Sequence, residues 1–117
     1  MKKFGSAPFL ECSSKGDSRF SAFKAKVYGK TIEELYQAFK VFEDGATGLH
    51  WKQAKGKKPI NAENARKYYS MLWREWFRLN PAALEYIRQY NGFSDVFGQE
   101  GHACQAEEIY NILVENH

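Results

Sequence analysis

The stretch "GKTIEELYQAFKVF", residues 29–42, sets two adjacent carboxylates, Glu33 and Glu34, ahead of an apolar and aromatic stripe broken by one amide, Gln37. Carboxylates in the first turn of a helix are favoured by the helix dipole. Thr31 with Glu34 three residues on also spells a capping box, in which each side chain meets the other's backbone N–H. That box accounts for Glu34. Glu33 is left without a structural task and is the better candidate for acid–base chemistry. A second candidate, Asp95, stands between Phe93 and Phe97 in the glycine-flanked "GFSDVFGQEGHA". A carboxylate among rings either forms a turn or has its acidity altered by desolvation.

Cations gather elsewhere. Lys52, Lys55, Lys57 and Lys58 lie within "LHWKQAKGKKPI", residues 49–60, next to Trp51. Such a run is ordinarily a solvated loop. Its functional alternative is an anion site, where ammonium groups hold phosphates and a ring stacks on a base. The same pairing would also suit single-stranded nucleic acid. His50, His102 and His117 share no metal-ligand spacing with one another or with Cys12 and Cys104, and no metal is expected. Serine-hydrolase, P-loop and dinucleotide-binding motifs are absent, so no cofactor is expected either.

These residues need a scaffold. A chain of 117 residues suits one domain, enough for a core and little more. Apolar residues make up 44 % and aromatics 16 %, which excludes a disordered chain and supplies rings for core and cleft alike. The net charge of +3 suits a small anionic ligand better than it suits a dedicated nucleic-acid binder. Two lysines open the chain, but no apolar segment follows them. No signal peptide or membrane span is read, and a cytoplasmic protein with reduced thiols is expected.

"RFSAFKAKV" alternates Ser21, Phe23, Ala25 and Val27 against Lys24 and Lys26, which predicts a half-buried strand near the N-terminus. Ile32, Leu35, Tyr36, Phe39 and Phe42 recur at helical spacing and predict a helix over 32–42. Asn61 is placed to cap a second helix with Ala62, Ala65, Tyr69, Leu72, Trp76 and Leu79 on one stripe. "NP" at 80–81 opens a third, with Leu84 and Ile87 inward. Residues 104–115 predict a fourth, with Ala106, Ile109, Tyr110 and Leu113 inward. The expected class is α+β: mostly helical, about four helices and one small β element.

Three stretches together resemble the NADAR superfamily of YbiA-like proteins. "SAFKAKVYGKTIEELYQAFK", residues 21–40, is similar to the family's strand, GK turn, glutamate and YQA-x-K run. "WREWFRLNPAAL", residues 73–84, is similar to its long helix ending in an NP segment. "DVFGQEGHACQAEEIYNIL", residues 95–113, resembles a worn form of its closing D-x-W-G stretch. The resemblance spans roughly residues 20–114, and only the first motif is specific.

It implies hydrolysis of N-glycosidic bonds in ADP-ribosyl or phosphoribosyl conjugates, with Glu33 and Asp95 as the catalytic pair. Phe23, Tyr36, Gln37 and Lys40 would contact the substrate. So would Lys55 and Phe97, with Trp51 or Trp73 standing for a family tryptophan. Glu34 replaces the family's histidine after the glutamate, and Phe97 replaces the tryptophan before the glycine. The alternative expectation is therefore a binding protein that keeps the fold without the reaction, such as a phage-encoded inhibitor or a sequestering protein for an ADP-ribose-like nucleotide.

Overall fold

A computed structural model describes residues 1–99 and 103–116. The described chain is α+β and helix-rich. Five short strands are β1 (Lys2–Gly5), β2 (Phe9–Glu11), β3 (Lys26–Val27), β4 (Lys30–Thr31) and β5 (Gly92–Asp95). Five helices are α1 (Ile32–Phe39), α2 (Trp51–Ala54), α3 (Ala62–Leu79), α4 (Pro81–Ile87) and α5 (Gln105–Glu115). None of the described helices is long and apolar enough to cross a membrane.

The β structure differs from the expectation in place. Residues 19–27 do not form one strand. Ser18–Phe20 is a 3-10 turn, and only Lys26–Val27 pairs, with β4. The alternation survives only over 24–27, where Ala25 and Val27 are buried and Lys24 and Lys26 exposed; before it Ala22 is buried and Phe23 exposed, against the expected faces. The chain coils because its backbone serves other elements: Ala25 O accepts from Ile32 N–H, and Ala22 O accepts from Glu33 N–H.

The main sheet has the order β1-β5-β2, with β5 in the middle, antiparallel to β1 and parallel to β2. Gly92 opens β5 where the Phe9 ring and Ser6 O press close. An added Cβ there would come within 2.5 Å of Phe9 Cε1. A side chain cannot fit without moving the Phe9 ring and the Ser6 carbonyl.

α1 starts as its sequence dictates. Glu34 N–H donates to Thr31 Oγ1 at 3.1 Å, and Glu34 carboxylate accepts from Thr31 N–H at 3.5 Å. The helix ends three residues before the expected Phe42, since Lys40 turns extended and Val41 bridges Thr47. α3 and α4 begin at the expected places without the expected side-chain caps. Asn61 instead straddles the chain after α1, accepting from Val41 N–H at 2.9 Å and donating to Phe39 O at 3.0 Å. Asn80 donates backwards to Trp76 O, leaving Pro81 at the first turn, where a missing N–H costs nothing. The basic run contains the short helix α2, capped by His50, whose Nδ1 accepts from Lys52 N–H.

α3 is the central helix of the core. Its Trp73, Trp76 and Phe77 meet edge-on or tilted, and Phe20 packs against Trp76 and Phe77. α1 and α5 pack on α3, and α5 also covers the sheet. The end of β5, the start of α5 and the inner face of α1 thereby converge on one cleft.

Candidate functional site

A cleft of about 820 Å³ is lined by both candidate carboxylates. Glu33 reaches it from α1, one position into the first turn, where helical phase sends Glu33 inward and Glu34 outward. Glu33 is only 8 % exposed, whereas Glu34 is exposed and held in the capping box. Gln37, one turn on, donates its Nε2 to Glu33 Oε1 at 2.7 Å. A carboxylate can only accept, so this bond fixes the amide's orientation. Gln37 Oε1 is left enclosed with no partner among the described residues.

Asp95 sits at the last position of β5, 7 % exposed. Its Oδ1 accepts from Phe97 N–H at 2.9 Å, and its Oδ2 accepts from Gln105 Nε2 at 2.9 Å. Burial raises the Asp95 pKa above its ordinary value, opposed by the Phe97 N–H and assisted by the nearby charge of Glu11. Gln105, the first residue of α5, turns its Oε1 to Ala22 N–H at 3.0 Å. The Ala22 carbonyl accepts from Glu33 N–H at 3.0 Å. One peptide and one amide thus join the two carboxylate-bearing elements.

Around them stand Tyr36 and Tyr69, in edge-on contact at 4.9 Å. Burial raises both phenol pKa values, that of Tyr69 far above normal, and the neighbouring Glu33 charge adds to each. Lys40 lines the same cleft and is 5 % exposed. Its ammonium donates to Ala54 O at 3.4 Å and Lys57 O at 3.3 Å, and lies 5.2 Å from the Tyr36 ring centre. Burial lowers its pKa, and Glu33 pushes it back up.

The lips are aromatic and basic. Phe23 and Phe97 line the cleft and are well exposed, at 43 % and 59 %. Lys55 extends over the Phe23 ring at 5.0 Å. Trp51 stands behind this lip, edge-on to Phe23 at 5.4 Å, so it buttresses the platform and is not part of the cleft lining.

Glu33, Asp95, Phe23, Tyr36, Gln37, Lys40, Lys55 and Phe97 are therefore brought to one cleft. Trp73 is not. It is fully buried in the α3 core against Trp76 and Phe77 and does not line the cleft. Tyr69, Lys24 and Gln105 also line the cleft. The sequence signals for Tyr69 and Lys24 pointed to a core stripe and an outer strand face, and Gln105 carried no signal at all.

Among the described residues no three His, Cys, Asp or Glu side chains converge to hold a metal ion. His102 and His117 lie outside the described residues. No protein-family model matches the chain, and comparison with curated proteins returns no relative.

Proposed function

We propose that this protein is an N-glycosidic bond hydrolase acting on an ADP-ribosyl or phosphoribosyl conjugate in the cytoplasm, with Glu33 and Asp95 as its catalytic residues. The observation that carries this reading is their arrival in one cleft from elements far apart in sequence, each buried and each held by a glutamine.

Hydrolysis of such a bond builds positive charge on the sugar's anomeric carbon and negative charge on the departing nitrogen. Glu33 keeps its second oxygen, Oε2, unbonded to any described residue. That oxygen stabilises the oxocarbenium-like carbon and takes a proton from the attacking water. Asp95, raised by burial, donates its proton to the leaving nitrogen as the C–N bond breaks. Water's oxygen becomes the new anomeric hydroxyl, the proton gained by Glu33 returns to solvent, and Asp95 takes one proton back from solvent after the base departs. Phe23 and Phe97 offer exposed faces for the base. Cys12 and Cys104 are both buried free thiols, which suits a reducing compartment.

The direct test is release of ADP-ribose from ADP-ribosylated guanine, or of a base from a phosphoribosyl conjugate. Glu33→Gln is expected to lower turnover by on the order of 10²–10⁴-fold, the usual share of a positioned acid–base group. Equal turnover by wild type and variant would remove Glu33 from the mechanism.

A second reading, a nucleotide-binding protein without turnover, is favoured by Glu34. It occupies the place of the family histidine yet is exposed and spent on the capping box, so the helix start lends the cleft a single acid–base group. Calorimetry with ADP-ribose separates the two: tight binding to a protein inert on every conjugate supports the binder.

A further inference from the structure

A second groove, of about 630 Å³, lies between the β3–β4 hairpin, α1 and α3. Leu35 reaches it from the face of α1 opposite Glu33 and Gln37. Val27, Leu35, Tyr68, Met71 and Leu72 supply its apolar floor, and Phe39 continues that surface by stacking on Tyr68 at 4.4 Å. Met71 is 64 % exposed, and Tyr28 and Phe39 are exposed as well. Single apolar side chains on a surface need no explanation, but several gathered about one groove mark a contact site. Tyr28 is held there against its backbone preference. With Gly29 it forms the two-residue turn of the hairpin, at φ of 52° and 89°, and such turns favour Asn, Asp or Gly in the first place. Its hydroxyl donates to Glu75 Oε2 and accepts from Arg78 Nη2 at 3.1 Å, which keeps the ring at the groove.

The polar rim is one-sided. Glu75 is the one carboxylate among the described lining residues, and both its oxygens are taken by Arg78 and Tyr28. Arg74 is committed to Glu115 at 2.6 Å, with Glu108 3.9 Å away. Two cationic donors are left over. The Lys30 ammonium is exposed, with no hydrogen-bond or ion-pair partner among the described residues, and Arg78 Nη1 bonds to none of them. An apolar floor beside unfilled cationic donors, with no free acceptor, calls for a partner that is apolar on one side and anionic beside it. A small molecule would stay half in water in a groove with such exposed walls. A second copy, groove to groove, would set Lys30 and Arg78 against like charges. The hollow between two helices suits the apolar face of a third.

We propose that this groove docks an acidic amphipathic helix of another protein, its apolar stripe on Leu35, Tyr68 and Met71 and its carboxylates on Lys30 and Arg78. The flexible thioether of Met71 lets the floor adapt to the side chains that enter it. The groove shares no lining residue with the cleft of Glu33 and Asp95, so the docking does not depend on the hydrolase reading.

The test is fluorescence anisotropy with a labelled peptide of about 14 residues, roughly four helical turns. Its Leu residues recur at helical spacing and its other positions are Ala and Glu; a second peptide carries Lys in place of each Glu. Wild type is expected to bind the glutamate peptide about tenfold or more tightly than the lysine peptide. Met71→Gln removes apolar floor without changing charge and should weaken binding about fivefold or more. Lys30→Gln should weaken it about threefold, and Lys52→Gln, the same change in the exposed basic run, by less than about twofold. Circular dichroism checks folding, and an unfolded Met71→Gln passes the decision to Lys30→Gln against Lys52→Gln. A wild type that binds neither peptide, or both alike, overturns the proposal. So does equal loss in Lys30→Gln and Lys52→Gln, or unchanged binding in a folded Met71→Gln. A single-stranded oligonucleotide that displaces the peptide and is itself weakened by Met71→Gln would overturn it in favour of nucleic acid. A wild type that sediments as a dimer, and separates on Met71→Gln, would overturn it in favour of a second copy.

Discussion

The two walls of the cleft hold their carboxylates by different means. On the α1 wall, Glu33 is fixed by one side chain of its own helix, Gln37, and one oxygen stays uncommitted. On the β5 wall, both oxygens of Asp95 are engaged, one by the loop N–H of Phe97 and one by Gln105 from α5, which is itself tied to Ala22. The first arrangement is local and tolerant. The second links a strand end, a helix start and the segment before β3, and it admits one orientation of every amide. In the proposed reaction the free oxygen of Glu33 meets the changing charge on the sugar, and the enclosed Asp95 is the proton donor.

The comparison breaks most visibly by removing one charge at a time. Glu33→Gln preserves an acceptor for Gln37 Nε2, because the new amide can present its oxygen. Its cost in stability is expected to be below about 1 kcal/mol. Asp95→Asn has no such freedom. If the new carbonyl accepts from Phe97 N–H, its NH2 faces Gln105 Nε2; if Gln105 then flips, its NH2 faces Ala22 N–H. One buried donor is left unpaired in every arrangement, at a cost of about 1–3 kcal/mol. Urea unfolding of the two variants measures both numbers, and a Glu33→Gln variant less stable than Asp95→Asn would contradict the contrast.

The same contrast decides what the sequence makes legible. Glu33 could be singled out because its wall is a helix: Thr31 and Glu34 announce the start, and 3.6-residue phasing then assigns each side chain a face. The helices α1, α3, α4 and α5 were legible for that reason. Asp95 carried no comparable signal. β5 is four residues, Gly92, Phe93, Ser94 and Asp95, all buried, so it shows neither alternation nor an apolar run. Its partners β1 and β2 are as short and lie some ninety positions away in register. Gln105 was invisible because its role depends on Ala22 and Asp95, which only the tertiary fold brings to it. Trp73 misled in the opposite sense: a ring that suits a binding wall is equally a core residue, and burial chose the core.

The adjacent pair at the helix start offers a finer test of the α1 wall. Thr31→Ala removes the acceptor for Glu34 N–H and is expected to cost about 1 kcal/mol, with Glu34→Ala costing less because it keeps that acceptor and loses only exposed bonds from Thr31 Oγ1 at 3.1 Å and Thr31 N–H at 3.5 Å. Neither should alter binding of a ligand in the cleft, since Glu34 faces solvent. Chemical denaturation beside calorimetry with ADP-ribose checks both halves. Loss of binding in Glu34→Ala would return Glu34 to the site.

The smallest expected effect is the pH dependence contributed by the β5 wall. Asp95 has its pKa raised above the ordinary 3.8, chiefly by burial. The folded state therefore holds this proton more tightly than the unfolded state does. The sign follows from linkage: the contribution is fully present below pH 3.8 and is lost as pH rises through the raised folded value. Glu11 and Asp17 act in the opposite sense. Hydrogen bonds from Ser13, Ser94 and Val96 outweigh burial at Glu11, and the Arg19 guanidinium holds Asp17 down, so their contributions are lost as pH falls. Whole-protein stability mixes the two directions, and the difference between wild type and Asp95→Asn isolates one. Followed by thermal unfolding upward from pH 3.8, the stability advantage of wild type over Asp95→Asn should shrink and then level off once Asp95 is ionised in the folded protein. An advantage that grows with pH would mean that the Phe97 and Gln105 donors outweigh burial, and Asp95 would then be held as an anion, unfit to donate a proton.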